Sequence, residues 1–275
     1  MKFARRIAIL VAAIALLAAP ATAEIRTIVT ATASILSTGE TTVSYDILNA
    51  GNEEVLHVRV ATFLGLIADR SDPLGDNAPG KTVRCTRTLD TRALVPGHYI
   101  LAARVNFEDR AGATHAVHHF IPLAFGAAAP GVQTASPLTV AVSDAEFNAK
   151  SPLNTKDDIT LILKNTGGAP LEPVVSFFLP DGVTTAEPEK AYPVAAGETK
   201  TVKLPLNFAP TVARDLPYRA VVWYEAQGRH DARLLEGTIR VTQKPVLFKA
   251  FLIGAGAVLV IVVASVVVIR RRKQA

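Results

Sequence analysis

Val43-Ser-Tyr-Asp-Ile-Leu-Asn-Ala-Gly51 and Ile159-Thr-Leu-Ile-Leu-Lys-Asn-Thr-Gly167 lie 116 residues apart in a chain of 275. Apolar residues alternate in both, as Val43, Tyr45 and Ile47 in the first and Ile159, Leu161 and Leu163 in the second. A two-residue period is that of a strand with one face in a core. Each stretch ends in Asn-x-Gly, which reads as a turn because Asn and Gly both tolerate positive φ. At the same offset Val105, Phe107 and Gly112 fall over Val221, Trp223 and Gly228. Val58, Val60, Thr62 and Leu64 repeat the period, as do Val174, Ser176 and Phe178. A duplicated sandwich domain is the simplest account of these matches.

On either side, segments rich in Val, Ile, Thr, Phe and Tyr recur with turn residues between them, the pattern of an all-β chain. The first half carries them at 27–34, 41–49, 55–64, 81–89, 98–108 and 114–123, and the second at 138–142, 158–165, 171–179, 199–206, 218–226 and 233–242. Residues 126–136 have no apolar period and read as a linker. The expected architecture is two tandem immunoglobulin-like sandwiches, 24–125 and 137–243, because each half has the size and strand number of such a domain.

The two ends read as targeting segments. Lys2, Arg5 and Arg6 precede an apolar run, Ile7 to Ala19, and Ala21-Thr22-Ala23. That is the three-part pattern of a cleaved signal peptide over 1–23, with Ala21 and Ala23 in the small-residue positions of the cleavage site. Ala250 to Ile269 is twenty residues without a charge, thirteen of them Phe, Leu, Ile or Val. As a helix it would span about 30 Å, the thickness of the hydrocarbon core. Those thirteen residues favour insertion by roughly 4–8 kcal/mol. A transmembrane helix over 247–269 is therefore expected. Arg270, Arg271, Arg272 and Lys273 in the tail 270–275 would orient it with the C-terminus in the cytoplasm. This topology puts 24–245 in the periplasm or outside the cell, on a single-pass type I protein of the plasma (inner) membrane. Only Gln243-Lys244-Pro245 precedes the anchor, so the second domain is expected near the bilayer.

The charge of the whole chain misleads. Its pI is about 9.4 and its net charge +5, which suggests nucleic acid. Residues 24–245, however, hold 21 Lys and Arg against 24 Asp and Glu, a net of −3. The positive charge is concentrated at the ends, where it directs topology, and no nucleic-acid partner is expected. A single cysteine excludes an intramolecular disulfide framework and a Cys-based zinc cluster.

A resemblance rests on a further set of residues. The second half reads Asn165-Thr-Gly167-Gly-Ala-Pro-Leu171, then Leu179-Pro-Asp-Gly182, then Ala196-Gly-Glu-Thr-Lys-Thr-Val202, then Pro217-Tyr218 entering a strand. The first half has Asn49-Ala-Gly51, Pro79-Gly-Lys-Thr-Val83 and Pro96-Gly97-His-Tyr99. These landmarks resemble the bacterial and archaeal immunoglobulin-like modules of the cell-adhesion-related (CARDB) and alpha-galactosidase-associated NEW type. The resemblance covers about 80 residues of the second half. It implies a seven-stranded sandwich used as a spacer or interaction module in envelope proteins, without catalytic residues.

Candidate chemistry is sparse. Asp69, Asp72 and Asp76, with Asn77, gather oxygens that calcium accepts, yet the spacing fits no EF-type loop and the same residues form turns. They are weak metal candidates. His115, His118 and His119 lie in one strand, where His115 and His119 share a face about 13 Å apart and cannot chelate one ion alone. Cys85 is expected to be buried, with Val83 on the opposite face. Trp223 and Tyr224, with Phe107 at the aligned position, are candidates for a sugar-stacking platform, but Trp223 follows the Val221 register and is expected in the core. Asp157-Asp158 and Glu187-Pro-Glu189 are expected in solvated turns. No catalytic motif, cofactor site or phosphate-binding glycine loop is present. The resulting expectation is a non-enzymatic, membrane-anchored interaction or scaffold protein of the cell envelope, in the role of a subunit of a membrane complex. The alternative is a glycan-recognition or cell-adhesion module displayed at the cell surface.

Overall fold

A computed structural model describes residues 24–126, 136–149, 156–209 and 214–242. The expected signal peptide, almost all of the linker, the transmembrane helix and the basic tail lie outside these residues. The described chain is all-β. Its strands are β1 (Thr27–Ile35), β2 (Glu40–Asn49), β3 (Leu56–Leu64), β4 (Ile67–Arg70), β5 (Thr82–Asp90), β6 (Gly97–Glu108), β7 (Thr114–Phe125) and β8 (Leu138–Val142). They continue with β9 (Ala145–Asn148), β10 (Lys156–Asn165), β11 (Val174–Phe178), β12 (Val183–Thr184), β13 (Glu189–Ala191), β14 (Thr199–Phe208), β15 (Leu216–Ala226) and β16 (Arg229–Thr242). Among the described residues no helix is long and apolar enough to cross a membrane.

The chain divides into two compact units. Residues up to Ala93 together with Leu101–Ile121 form the first; Leu94–Ile100 and the residues from Pro122 onward form the second. In the first unit β2 pairs antiparallel with β1 on one side and β5 on the other. Strand β3 pairs with β4 and with β6. Val43, Tyr45 and Ile47 of β2, Val58, Val60 and Leu64 of β3 and Leu101, Val105 and Phe107 of β6 are all at most 3% exposed. Two side-chain contacts tie the sheets together. The Tyr45 hydroxyl lies 2.8 Å from Thr62 Oγ1, and burial pushes the Tyr45 phenol up to about 12. At the edge, Arg87 of β5 donates twice to the Asp69 carboxylate of β4.

The second unit repeats this layering. One sheet runs β12-β14-β10-β8; in the other β13, β11, β15 and β16 are neighbours, and β9 pairs parallel to β16. Its core takes Ile159, Leu161 and Leu163 from β10, Val175 and Phe177 from β11, Leu204 and Leu206 from β14, and Tyr218, Ala220, Val222 and Tyr224 from β15.

The duplicated pattern survives, but not at a constant offset. Val43, Tyr45, Ile47 and Asn49 correspond to Ile159, Leu161, Leu163 and Asn165 at 116 residues, and all eight are at most 1% exposed. The inward residues of β3 begin at Val58, whereas those of β11 are Val175 and Phe177, one residue out of phase. Strands β6 and β15 match at 119, with Tyr99, Leu101, Ala103 and Val105 over Tyr218, Ala220, Val222 and Tyr224. An odd change of offset moves a side chain to the opposite face of its strand. Hence Val174, Ser176 and Phe178 are not the inward set. Trp223, expected in the core, shares the outer face of β15 with Val221, and Val174 and Ser176 stand opposite these two on β11.

Candidate interaction surface

The turns after β2 and β10 are held by the same device. Asn49 is fully buried; its Nδ2 donates to the carbonyls of Glu53 (2.7 Å) and Asn77 (2.8 Å), and its Oδ1 accepts the Gly51 amide (3.1 Å). Asn165, also fully buried, donates to the carbonyls of Ala169 (2.8 Å) and Val194 (3.3 Å) and accepts the Gly167 amide (2.9 Å). A buried amide with its donors and acceptor engaged closes one loop on another, and leaving such groups unpaired is costly. Positive φ is not the reason for Asn-x-Gly, since none of Asn49, Gly51, Asn165 and Gly167 has it. At Gly51 the requirement is close approach, because a Cβ there would sit 2.1 Å from the Glu24 carbonyl oxygen.

The three acids of the Asp69–Asn77 stretch take separate roles. Asp69 belongs to β4, a strand where a loop was expected, and the Arg87 guanidinium holds its carboxyl below the usual range. Asp76 accepts the His57 amide at 2.9 Å, and Asp72 is exposed. Among the described residues no group of three or more His, Cys, Asp and Glu is placed to hold a metal ion. His115 Nε2 lies 3.1 Å from Asp109 Oδ2, and its ring stacks on Phe107 at 5.5 Å. His118 and His119 sit partly buried in the same strand, β7. Cys85 is half-buried opposite Tyr45, and burial pushes its thiol up. It shares a face with Val83, since residues two apart in a strand point the same way. Asp157 and Asp158 lie within β10 rather than in a turn, and Glu189 opens β13.

Trp223 is half-buried and joins an aromatic column whose other members are buried. Within the second unit the Tyr99 and His230 rings stack 3.6 Å apart and 3° from parallel. Trp223 stacks on His230 at 5.3 Å, and Phe125 meets Tyr99 edge-on at 5.2 Å. The Tyr99 hydroxyl donates to the Val95 carbonyl four residues upstream, in the manner of a tyrosine corner. The backbone comes equally close, for a Cβ on Gly97 would stand 1.9 Å from the His230 carbonyl oxygen. His230 is 3% exposed, among the described residues neither ring nitrogen has a hydrogen-bond partner, Glu225 Oε1 lies 3.7 Å from Nδ1, and burial lowers the pKa. Tyr224 faces inward and anchors its hydroxyl on Asp231 and Ser136. Trp223 and Tyr224 therefore sit on opposite faces and form no common platform.

Sequence reading missed a groove of about 600 Å³ on the first unit. Arg59 of β3, Arg70 of β4 and Arg104 of β6 line it, with His57, Phe63 and Asn106. No periodicity or motif joins three arginines spread over 45 residues; only the pairing of β4, β3 and β6 does.

No family model matches the chain, and no curated protein matches it. Among solved structures it is similar to elastase-activated alpha-2-macroglobulin of Escherichia coli, at 12% identity and a TM-score of 0.31, over 81% of this chain and 22% of that one. A Salmonella alpha-2-macroglobulin variant gives 12% identity and 0.33, over 79% and 16%. A protein of unknown function from Porphyromonas gingivalis gives 14% identity and 0.33, over 78% of this chain and 99% of that one. The chain thus spans about a fifth of the length of the macroglobulins it matches. Likeness at this level carries no argument about activity, and the functional reading rests on the chain's own residues.

Proposed function

We propose that the protein is a membrane-anchored, non-enzymatic interaction or scaffold module of the cell envelope. In this reading two immunoglobulin-like domains of the CARDB/NEW kind are exported behind a signal peptide and held by the C-terminal helix. The observation that carries it is the recurrence of one buried-asparagine latch at corresponding turns of both units. A device repeated to fix loop geometry suits a domain whose work is to hold a surface in a set shape. The uncharged run Ala250–Ile269 followed by Arg270, Arg271, Arg272 and Lys273 supports the anchor and its orientation. Anchoring raises the local concentration of that surface beside membrane partners.

The test is gentle detergent extraction of the full chain from membranes, with and without prior cross-linking. A fixed co-purifying envelope protein is expected. Recovery of a lone monomer, or retention on a polysaccharide array in place of a protein partner, would overturn the reading.

A further inference from the structure

The groove on the first unit carries a more specific inference, which deepens the scaffold reading and rests on it. Along the outer face of β3 the side chains come in the order Arg59, Ala61 and Phe63, spaced by about 7 Å in an extended strand. Ala61 pairs with Arg70 on β4 and with Arg104 on β6. The two arginines therefore stand on either side of a small residue, their backbones about 10 Å apart. The result is a trough with Ala61 as its floor, one arginine on each wall, a third arginine at one end and the half-buried ring of Phe63 at the other.

The charge is unbalanced in a useful way. All three arginines are exposed, and among the described residues no hydrogen bond or ion pair engages their side chains. The lining also holds two carboxylates, Asp72 and Glu108, and Glu108 lies 3.0 Å from His57 Nδ1. Elsewhere in this unit Arg84 pairs with Asp46, Arg92 with Asp90 and Arg110 with Glu54. The three in the trough keep their donor forks turned to solvent. Guanidinium forks match carboxylates in a bidentate fashion.

We propose that this trough binds an extended acidic segment of a partner protein, with the pattern acid-x-acid-x-apolar. An extended peptide places alternate side chains about 7 Å apart, the same step as Arg59, Ala61 and Phe63. One carboxylate meets Arg59, the next enters between Arg70 and Arg104, and the apolar side chain covers Phe63.

The test is fluorescence anisotropy of the full chain in detergent with a fluorescein-labelled Glu-Thr-Glu-Thr-Leu peptide, with Lys-Thr-Lys-Thr-Leu as control. The acidic peptide is expected to bind at least tenfold tighter than the basic one, and more weakly as salt rises. Arg59→Ser with Arg104→Ser is expected to weaken it at least tenfold. Ala61→Trp should do the same by filling the trough while leaving every charge in place. Arg219→Ser, remote in sequence and paired with Glu236, should change nothing. Thermal melts confirm that each variant is folded. The proposal fails if the double arginine variant binds as well as the parent, if the acidic peptide does not saturate, or if oligogalacturonate binds more tightly than the peptide. Should a membrane partner co-purify equally with parent and arginine variants, the trough proposal falls and the scaffold reading stands. If no partner co-purifies with the parent, the scaffold reading falls and the peptide titration still decides the trough.

Discussion

The turn after β2 and the turn after β10 hold the same buried asparagine, yet the two are not equally secured. Behind Asn49 stands Asn77, whose own Nδ2 donates to the Ile47 carbonyl at 2.9 Å. The matching carbonyl in the second unit belongs to Val194, which has no side-chain amide to give, and the Asn165 bond to it is longer, 3.3 Å against 2.8 Å. Gly51 lets the backbone of Glu24 pass within a distance no Cβ allows, while a Cβ on Gly167 would meet side-chain atoms, Pro137 Cβ at 3.0 Å and Asn165 Oδ1 at 3.2 Å. One latch clamps backbone on backbone, and the other packs against side-chain atoms at a longer distance. The same sequence signal, Asn-x-Gly, thus covers two degrees of constraint.

The largest effect should come from the pair that the repeat aligned wrongly. Phe107→Ala is expected to cost about 4 kcal/mol in urea unfolding, since it empties a core site. Trp223→Ala is expected to cost about 1 kcal/mol, since it removes one stacking partner at a half-buried position. Equal costs would contradict the opposite facing of the two residues.

Breaking the latches comes next. Asn49→Ala should cost about 3 kcal/mol and Asn165→Ala about 2 kcal/mol, because both strand buried carbonyls and the first strands better-bonded ones. The reverse order, measured by chemical denaturation, would mean that the Asn49 latch is not the tighter of the two. A smaller difference is expected at the glycines. Gly51→Ala should cost about 2 kcal/mol and Gly167→Ala under about 1 kcal/mol, as the cost of overpacking depends on whether the neighbour can move.

The most subtle test concerns His230. Burial lowers its folded pKa below about 6.5, the ordinary value. The facing groups Glu225 and Asp231 only partly oppose this. The unfolded chain then binds the proton first as pH falls, so stability should decline from pH 7 downward through the ordinary value, and level off below the folded one. His230→Phe, which keeps the stack with Tyr99 and Trp223, should flatten that decline relative to the parent in melts between pH 7 and 5. An unchanged slope would mean that His230 is not the group responsible.

Much of this was legible in the residues. The twelve strands expected from alternation all form, because a two-residue period is a local property that needs no knowledge of the partner strand. The short strands β4, β9, β12 and β13 were not legible. Two to four residues carry too little alternation to register, and their pairing is supplied by neighbours distant in sequence. Asp69 shows the consequence: read as a turn residue, it belongs to β4 and faces inward to Arg87 of β5.

Local residue pattern is enough to make the described chain β throughout, to give its two halves a shared pattern, and to mark Asn49 and Asn165 as equivalent turns. Composition and spacing suffice for these, since they depend on residues a few positions apart. Tertiary structure decided which face of each strand points inward and which distant residues meet. Facing depends on parity, and insertions of one or three residues between strands, invisible to a fixed offset, reverse it. That is why Trp223 points away from Tyr218, Ala220, Val222 and Tyr224 and stacks on His230. Arginines 45 residues apart line one groove for a related reason, since strand pairing, not spacing, makes Arg70 and Arg104 neighbours of Ala61.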